Sequence, residues 1–117
     1  MSENNSREPA RVPDEAIMTY VSETASAIAG VYGMGINMSA SAIRKNLLGQ
    51  DKKMRGVRVT YDEENGYNID IFLVAEFGAN IPETAWNVQK NVHDGLKNKY
   101  GIEPEDINIH VQGVQAG

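Results

Sequence analysis

Tyr67-Asn68-Ile69-Asp70-Ile71-Phe72-Leu73-Val74-Ala75-Glu76-Phe77-Gly78-Ala79-Asn80-Ile81-Pro82-Glu83 reads as a strand that runs straight into a capped helix, and this junction decides the fold. Alternation places Ile69, Ile71, Leu73 and Ala75 on one face of the strand and Asn68, Asp70, Phe72, Val74 and Glu76 on the other. Asn80 can accept from a free amide of the first helical turn, Glu83 three residues on completes a capping-box-like pair, and Pro82 is tolerated where no amide hydrogen bond is lost. The helix then carries Ile81, Ala85, Val88, Val92 and Leu96 on one stripe and stops at Gly101. Trp86 falls off that stripe, so it either packs at its edge or stands exposed as an interaction anchor.

Upstream of the junction, Val57-Arg58-Val59-Thr60-Tyr61 alternates as a strand, and Asn65-Gly66 supplies the turn of a hairpin. Downstream, Ile107 to Gln112 alternates again, and a right-handed crossover lays this strand parallel to the 67–76 strand. Near the N-terminus a first helix begins at Pro13 and Asp14, buries Ile17, Val21, Ala25, Ile28 and Val31, and ends at Gly30 and Gly33. Ser39 to Leu48 has the cap and apolar spacing of a short further helix. The expected class is α+β: a two-layer domain with a three-stranded sheet, two principal helices and a short third. Residues 1–12 read as a flexible tail and 13–115 as a single domain.

The chain has 117 residues, enough for one core, and no cysteine, so neither disulfides nor thiolate-bound zinc can hold it. Its apolar runs fall far short of the roughly 20 residues of a membrane-spanning helix. Met1 to Arg11 is polar without a signal-peptide pattern, which fits a cytoplasmic protein. The net charge of −5 conceals a segregation, because Arg44, Lys45, Lys52, Lys53, Arg55 and Arg58 are opposed locally by Asp51 alone. That basic stretch is either a solvated loop or a contact for an anionic surface, while the acidic remainder disfavours wrapping by nucleic acid.

No catalytic constellation emerges. His93 and His110 are the two imidazoles, and neither has a nucleophile or carboxylate at a spacing that implies a triad or a zinc site. Glu63-Glu64 and Glu105-Asp106 sit in turns, where adjacent carboxylates face water. The reading is therefore a protein that is not an enzyme and uses no cofactor. Phe72 and Val74 form an apolar patch on the sheet face expected to meet water; it is either a partner surface or is covered by the tail or a loop. Gly30-Val31-Tyr32-Gly33 has the Gly-x-x-Gly form that joins two helices in KH domains, so a KH-like RNA-binding domain stands as the alternative, although its inner positions are apolar.

Four segments resemble the alkaline shock protein family, the envelope stress response proteins of Gram-positive bacteria. They are Ala27-Ile28-Ala29-Gly30-Val31-Tyr32-Gly33-Met34, the Ile69 to Ala85 junction, Val88-Gln89-Lys90-Asn91-Val92, and Ile107 to Val114 with its Val-Gln-Gly-Val ending. The resemblance runs from about residue 14 to 114. It implies a cytoplasmic, non-enzymatic scaffold, held at the inner face of the cell membrane through a small membrane-anchored protein partner, with self-association as a further expectation. The family's opening strand corresponds to Arg7 to Val12, where Pro9 disfavours pairing. Candidate interaction residues are Phe72, Val74, Trp86, Arg44, Lys45, Lys52, Lys53 and Arg55, with Gly78, Asn80, Pro82 and Glu83 as structural residues of the junction.

Because no ligand set is evident in the sequence, treatment with a chelator is expected to leave Tm unchanged. A fall of several degrees would reveal a metal site assembled from His93, His110 and carboxylates.

Overall fold

A computed structural model of the chain describes residues 11–36 and 56–116. The elements run α1 (Asp14–Ser26), β1 (Val31–Met34), β2 (Val57–Asp62), β3 (Gly66–Glu76), α2 (Ile81–Tyr100) and β4 (Asp106–Gln115). The strands form one mixed sheet in which every pairing involves β3. β1 and β2 lie antiparallel to β3 along the same edge, and β4 lies parallel along the other.

The two-layer α+β class is the expected one, and the sheet has a fourth strand beyond the three that alternation marks. Val31 pairs with Ala75 and Met34 with Leu73, whereas the helical spacing assigned Val31 to the first helix. Helix α1 stops earlier, at Ser26, because the next residues turn away: Ile28 N donates to Ala25 O, and Val31 N to Ile28 O. Gly30 then adopts φ +97, a conformation that breaks a helix and that side chains rarely tolerate. Its carbonyl accepts from Glu76 N at 2.9 Å, which anchors the start of β1 to the end of β3. The apolar stripe was nonetheless informative, since Ile17, Val21 and Ala25 are fully buried and Ile28 packs against the core.

The edge strand is interrupted at a single point. Gly35 N donates to Phe72 O, and Phe72 N donates to Gly56 O, so β1 and β2 meet end to end opposite one residue of β3. The Ser39 to Leu48 helix and the question of an opening strand over residues 7–12 fall outside the described residues or at their margin, where Arg11 to Pro13 has no regular structure.

The hairpin follows the expected register, Asp62 opposite Gly66 and Val57 opposite Ile71. Asp62 organises the turn by accepting from Glu64 N at 2.9 Å and from the Asn65 side-chain amide at 2.9 Å. Helix α2 starts as its sequence dictates, with Asn80 Oδ1 accepting from Glu83 N at 3.1 Å and Pro82 in the first turn. At its other end Gly101, at φ +71, brings its own amide to Lys97 O and that of Ile102 to Leu96 O, satisfying terminal carbonyls and burying Ile102.

The core lies between the helices and the sheet face bearing Tyr67, Ile69, Ile71, Leu73 and Ala75, against Ile17, Val21, Val88, Val92 and Leu96. On α2 the buried positions are Thr84, Val88, Val92 and Leu96, while Ile81 is partly exposed. Thr84 lies directly against Gly30, where a Cβ on that glycine would collide with the threonine side chain.

Two substitutions separate local from tertiary contributions. Asn80→Ala is expected to cost about 1 kcal/mol through the lost cap, and Leu96→Ala, at a fully buried position, about 2–5 kcal/mol through the cavity it leaves. Denaturant unfolding measures both, and an Asn80→Ala cost equal to that of Leu96→Ala would contradict the assigned role of the cap.

Candidate functional site

The sheet face turned away from the helices carries a polar cluster that spans three strands. Register places Arg58 of β2, Asp70 of β3 and Asn108 of β4 side by side. Asp70, only 7% exposed, accepts from Arg58 Nε and Nη2 at 3.2 and 3.0 Å on one oxygen. Its other oxygen meets Asn108 Nδ2 at 3.3 Å and His110 Nε2 at 2.9 Å. Burial pushes the Asp70 carboxyl upward, but the hydrogen bonds from His110, Arg58 and Asn108 and the Arg58 charge outweigh it and hold the group below its ordinary value of 3.8. Two residues along β3, the Phe72 ring stacks on His110 with centroids 4.5 Å apart and planes inclined by 14°.

This arrangement ties three strands together. A carboxylate bonded to an imidazole is half of a catalytic triad, yet among the described residues no hydroxyl is bonded to His110, and an aromatic ring covers one of its faces. Among the described residues no group of His, Asp and Glu is arranged to hold a metal ion. His93, the second imidazole, is partly exposed, and among the described residues its polar contact is with its chain neighbour Asp94, at 3.3 Å.

The same face shows what the C-terminal Val-Gln-Gly-Val stretch does. Between Leu73 and Val74 the register with β4 shifts from Val111 to Gly113, leaving Gln112 out of the pairing. The Gln112 side chain grips the main chain of Ile36 from both sides, donating to its carbonyl at 2.6 Å and accepting from its amide at 2.8 Å. Phe72 and Val74 do lie on this face as expected, but each is half-buried. Trp86 is 58% exposed, with Lys90 Nζ 6.0 Å from its ring centroid, so exposure and not edge packing describes it. It lines a shallow groove between α2 and the start of β4, where Gln89 Nε2 donates to Ile107 O at 2.8 Å. Arg44, Lys45, Lys52, Lys53 and Arg55 lie outside the described residues. Sequence reading passed over Phe77, 80% exposed, over Val111, which alternation with Ile107 and Ile109 places on the core side but which remains 37% exposed, and over Val114, which the register shift brings opposite Ala75 and which is 51% exposed.

Gly30-Val31-Tyr32-Gly33 is not a loop between two helices. Val31 to Gly33 is part of strand β1 and is bonded to β3, so the basis of the KH-like alternative is gone.

Residues 2–116 match the alkaline shock protein family, described as having a cell envelope-related function. The chain belongs to the alkaline shock protein family. Relatives include the Streptococcus pyogenes protein Spy1614, 32% identical over 105 residues, covering 87% of this chain and 84% of that one. The Bacillus subtilis protein YqhY is 31% identical over 104 residues, covering 89% of this chain and 75% of its own length. YloU, also from Bacillus subtilis, is 30% identical over 86 residues, 74% of this chain and 71% of the relative. No solved structure gives a significant match. In this alkaline shock protein family member the junction residues Asn80, Pro82 and Glu83 serve the helix start. Gln112 serves the attachment of the edge strand.

The Asp70 cluster predicts a pH dependence. With its folded pKa below 3.8, the ionised carboxylate stabilises the fold fully above that value, and the contribution is lost as pH falls through the lower folded value. Asp70→Asn should therefore melt below wild type near neutral pH, with the gap closing as the pH falls below the ordinary carboxylate value of 3.8. Parallel Tm-versus-pH curves for the two proteins would show that the cluster contributes nothing.

Proposed function

We propose that this protein is a non-catalytic scaffold of the envelope stress response, held near the inner face of the cell membrane by a small membrane-anchored protein. The observation that carries the reading is the match to a cell envelope-related family over nearly the whole chain. Three features agree with it. The one Asp–His pair of the outer face is spent on joining strands. No helix among the described residues is long and apolar enough to cross a membrane, which is compatible with attachment through a partner. Large apolar side chains, Phe77 and Trp86 foremost, stand exposed where a partner could bury them.

Phe72 and Val74 are the proposed contacts for the anchor on the outer sheet face, and the basic residues Arg44, Lys45, Lys52, Lys53 and Arg55 are a second contact region by their charge. Fractionation of Gram-positive cells tests the proposal. Wild type is expected in the membrane fraction under envelope stress and to be released by a wash that strips peripheral proteins. Phe72→Ser with Val74→Ser should shift it to the cytosol while its circular dichroism spectrum stays that of a folded domain. Retention of wild type in the cytosol throughout would overturn the proposal.

A further inference from the structure

Among the described residues, exposed aromatic surface, apolar side chains and unbalanced charge come together in the groove between α2 and the start of β4. Trp86, Lys90 and Asp94 line it from α2, and Glu105, Asp106 and Ile107 from the facing wall. Hydrogen bonds fix the spacing of the two walls. Gln89 Nε2 donates to Ile107 O at 2.8 Å from one to the other, and Glu105 N donates to Tyr67 O at 2.7 Å, tying the approach to β4 onto the sheet. The volume is about 410 Å³, within the range of ligand sites. It is an open groove and not an enclosed cavity, so it suits side chains laid along it.

The charge of the groove is negative. Asp94, Glu105 and Asp106 line it against the ammonium of Lys90. Lys90 Nζ already lies 3.9 Å from Asp94, and the nearby Lys97 is turned to Glu103, also at 3.9 Å. Among the described residues neither Glu105 nor Asp106 has an ion-pair partner. The Trp86 ring is 58% exposed, and Lys90 Nζ stands 6.0 Å from its centroid, at the outer limit of a cation–π contact, so the ring has room for a closer cation. Away from this acidic end the groove becomes apolar. On the helix-facing side of β4, Ile107 is followed by Ile109 and then by Val111, which is 37% exposed.

We propose that the groove binds a short basic segment of a partner protein, with a lysine or arginine between Trp86 and the Glu105 carboxylate and an apolar residue over Val111. A long cationic side chain lays its aliphatic stem on apolar surface and keeps its charged head with carboxylates and water. Trp86 and Ile107 beside Asp94 and Glu105 offer both surfaces to one such side chain. Along a strand, Ile107 to Val111 spans about 13 Å, which sets the separation of the basic and the apolar residue in the bound segment. A small cation would satisfy the acidic end and leave Val111 uncovered, and an anionic ligand would meet carboxylates on both walls. The groove faces the helical layer, whereas Phe72 and Val74 lie on the other side of the sheet, so the inference does not rest on the proposed attachment to the membrane.

A short synthetic peptide with lysines in its first half and leucines in its second, capped at both ends, tests the proposal on the purified full chain. Trp86 is the sole tryptophan, so its fluorescence reports on the groove directly. Its emission should shift to the blue and saturate, with the apparent Kd rising as salt is added. By calorimetry, Trp86→Ala and, separately, Asp94→Lys with Glu105→Lys should each weaken binding at least about tenfold. Asp94→Asn with Glu105→Gln is the milder form if the lysine variant folds poorly, and it should weaken binding in the same direction. Glu63→Lys with Glu64→Lys makes the same change in net charge at the hairpin turn and should leave binding as in wild type. Val111→Ser should weaken the lysine–leucine peptide and not a peptide with serine in place of leucine. Equal weakening by the hairpin and groove variants would reduce the interaction to net charge and overturn the inference. So would a peptide with glutamate in place of lysine that binds as tightly, the same emission shift from spermidine, or no binding at all. Peptide binding by a chain that never reaches the membrane fraction would sink the anchoring proposal alone.

Discussion

The fold depends on one strand being bonded along both edges while its core-side face is fully buried. β3 pairs with β1 and β2 on one side and β4 on the other, and its inward residues Ile69, Ile71 and Leu73 have no exposed surface. A strand in that position has no water to satisfy its backbone, so every neighbour must be placed to complete its ladder. The helices follow from this requirement: α2 is the crossover that returns β4 parallel to β3, and α1 covers the half of the sheet built by β1 and β2. The outward face of β3 is constrained as well, since Asp70 is buried there only because donors reach it from both adjacent strands.

What could be read beforehand divides along the distance over which a signal acts. The hairpin and α2 were legible because their determinants are local. Alternation in 57–61 and 67–76, the Asn-Gly turn, and Asn80, Pro82 and Gly101 each act within a few residues of the structure they specify. β1 was not legible, because four residues carry too little periodicity to reveal a strand, and Val31 also fits the helical stripe begun by Ile17. Only pairing with Ala75, far along the chain, makes it a strand.

The outer-face cluster was hidden for the same reason. Asp70 and His110 are 40 residues apart, and nothing in their neighbourhoods announces that they touch. The expected parallel crossover already contained the information in principle, because fixing Ile69 against Ile107 forces Asp70 beside Asn108 and Phe72 beside His110. The parity of Phe72 and Val74 was read correctly, whereas their partial burial depends on stacking and strand packing that a single sequence does not display. Val111 shows the converse: alternation assigns it to the core side, but the helical layer leaves it exposed.

The junction of β1 and β2 opposite Phe72 bears on how this family can diversify. Since the amide and carbonyl of one β3 residue hold both Gly35 and Gly56, the chain departs from the sheet and returns to it at nearly the same point. The entropy of closing a loop with coincident ends grows only logarithmically with its length, by about 0.6 kcal/mol for each doubling. For a flexible connection between two such anchor points, a change of length would cost the sheet little. The two anchors thus form a port in the architecture, a point on the sheet whose geometry is fixed by one residue of β3 whatever the number of residues that separate Gly35 from Gly56.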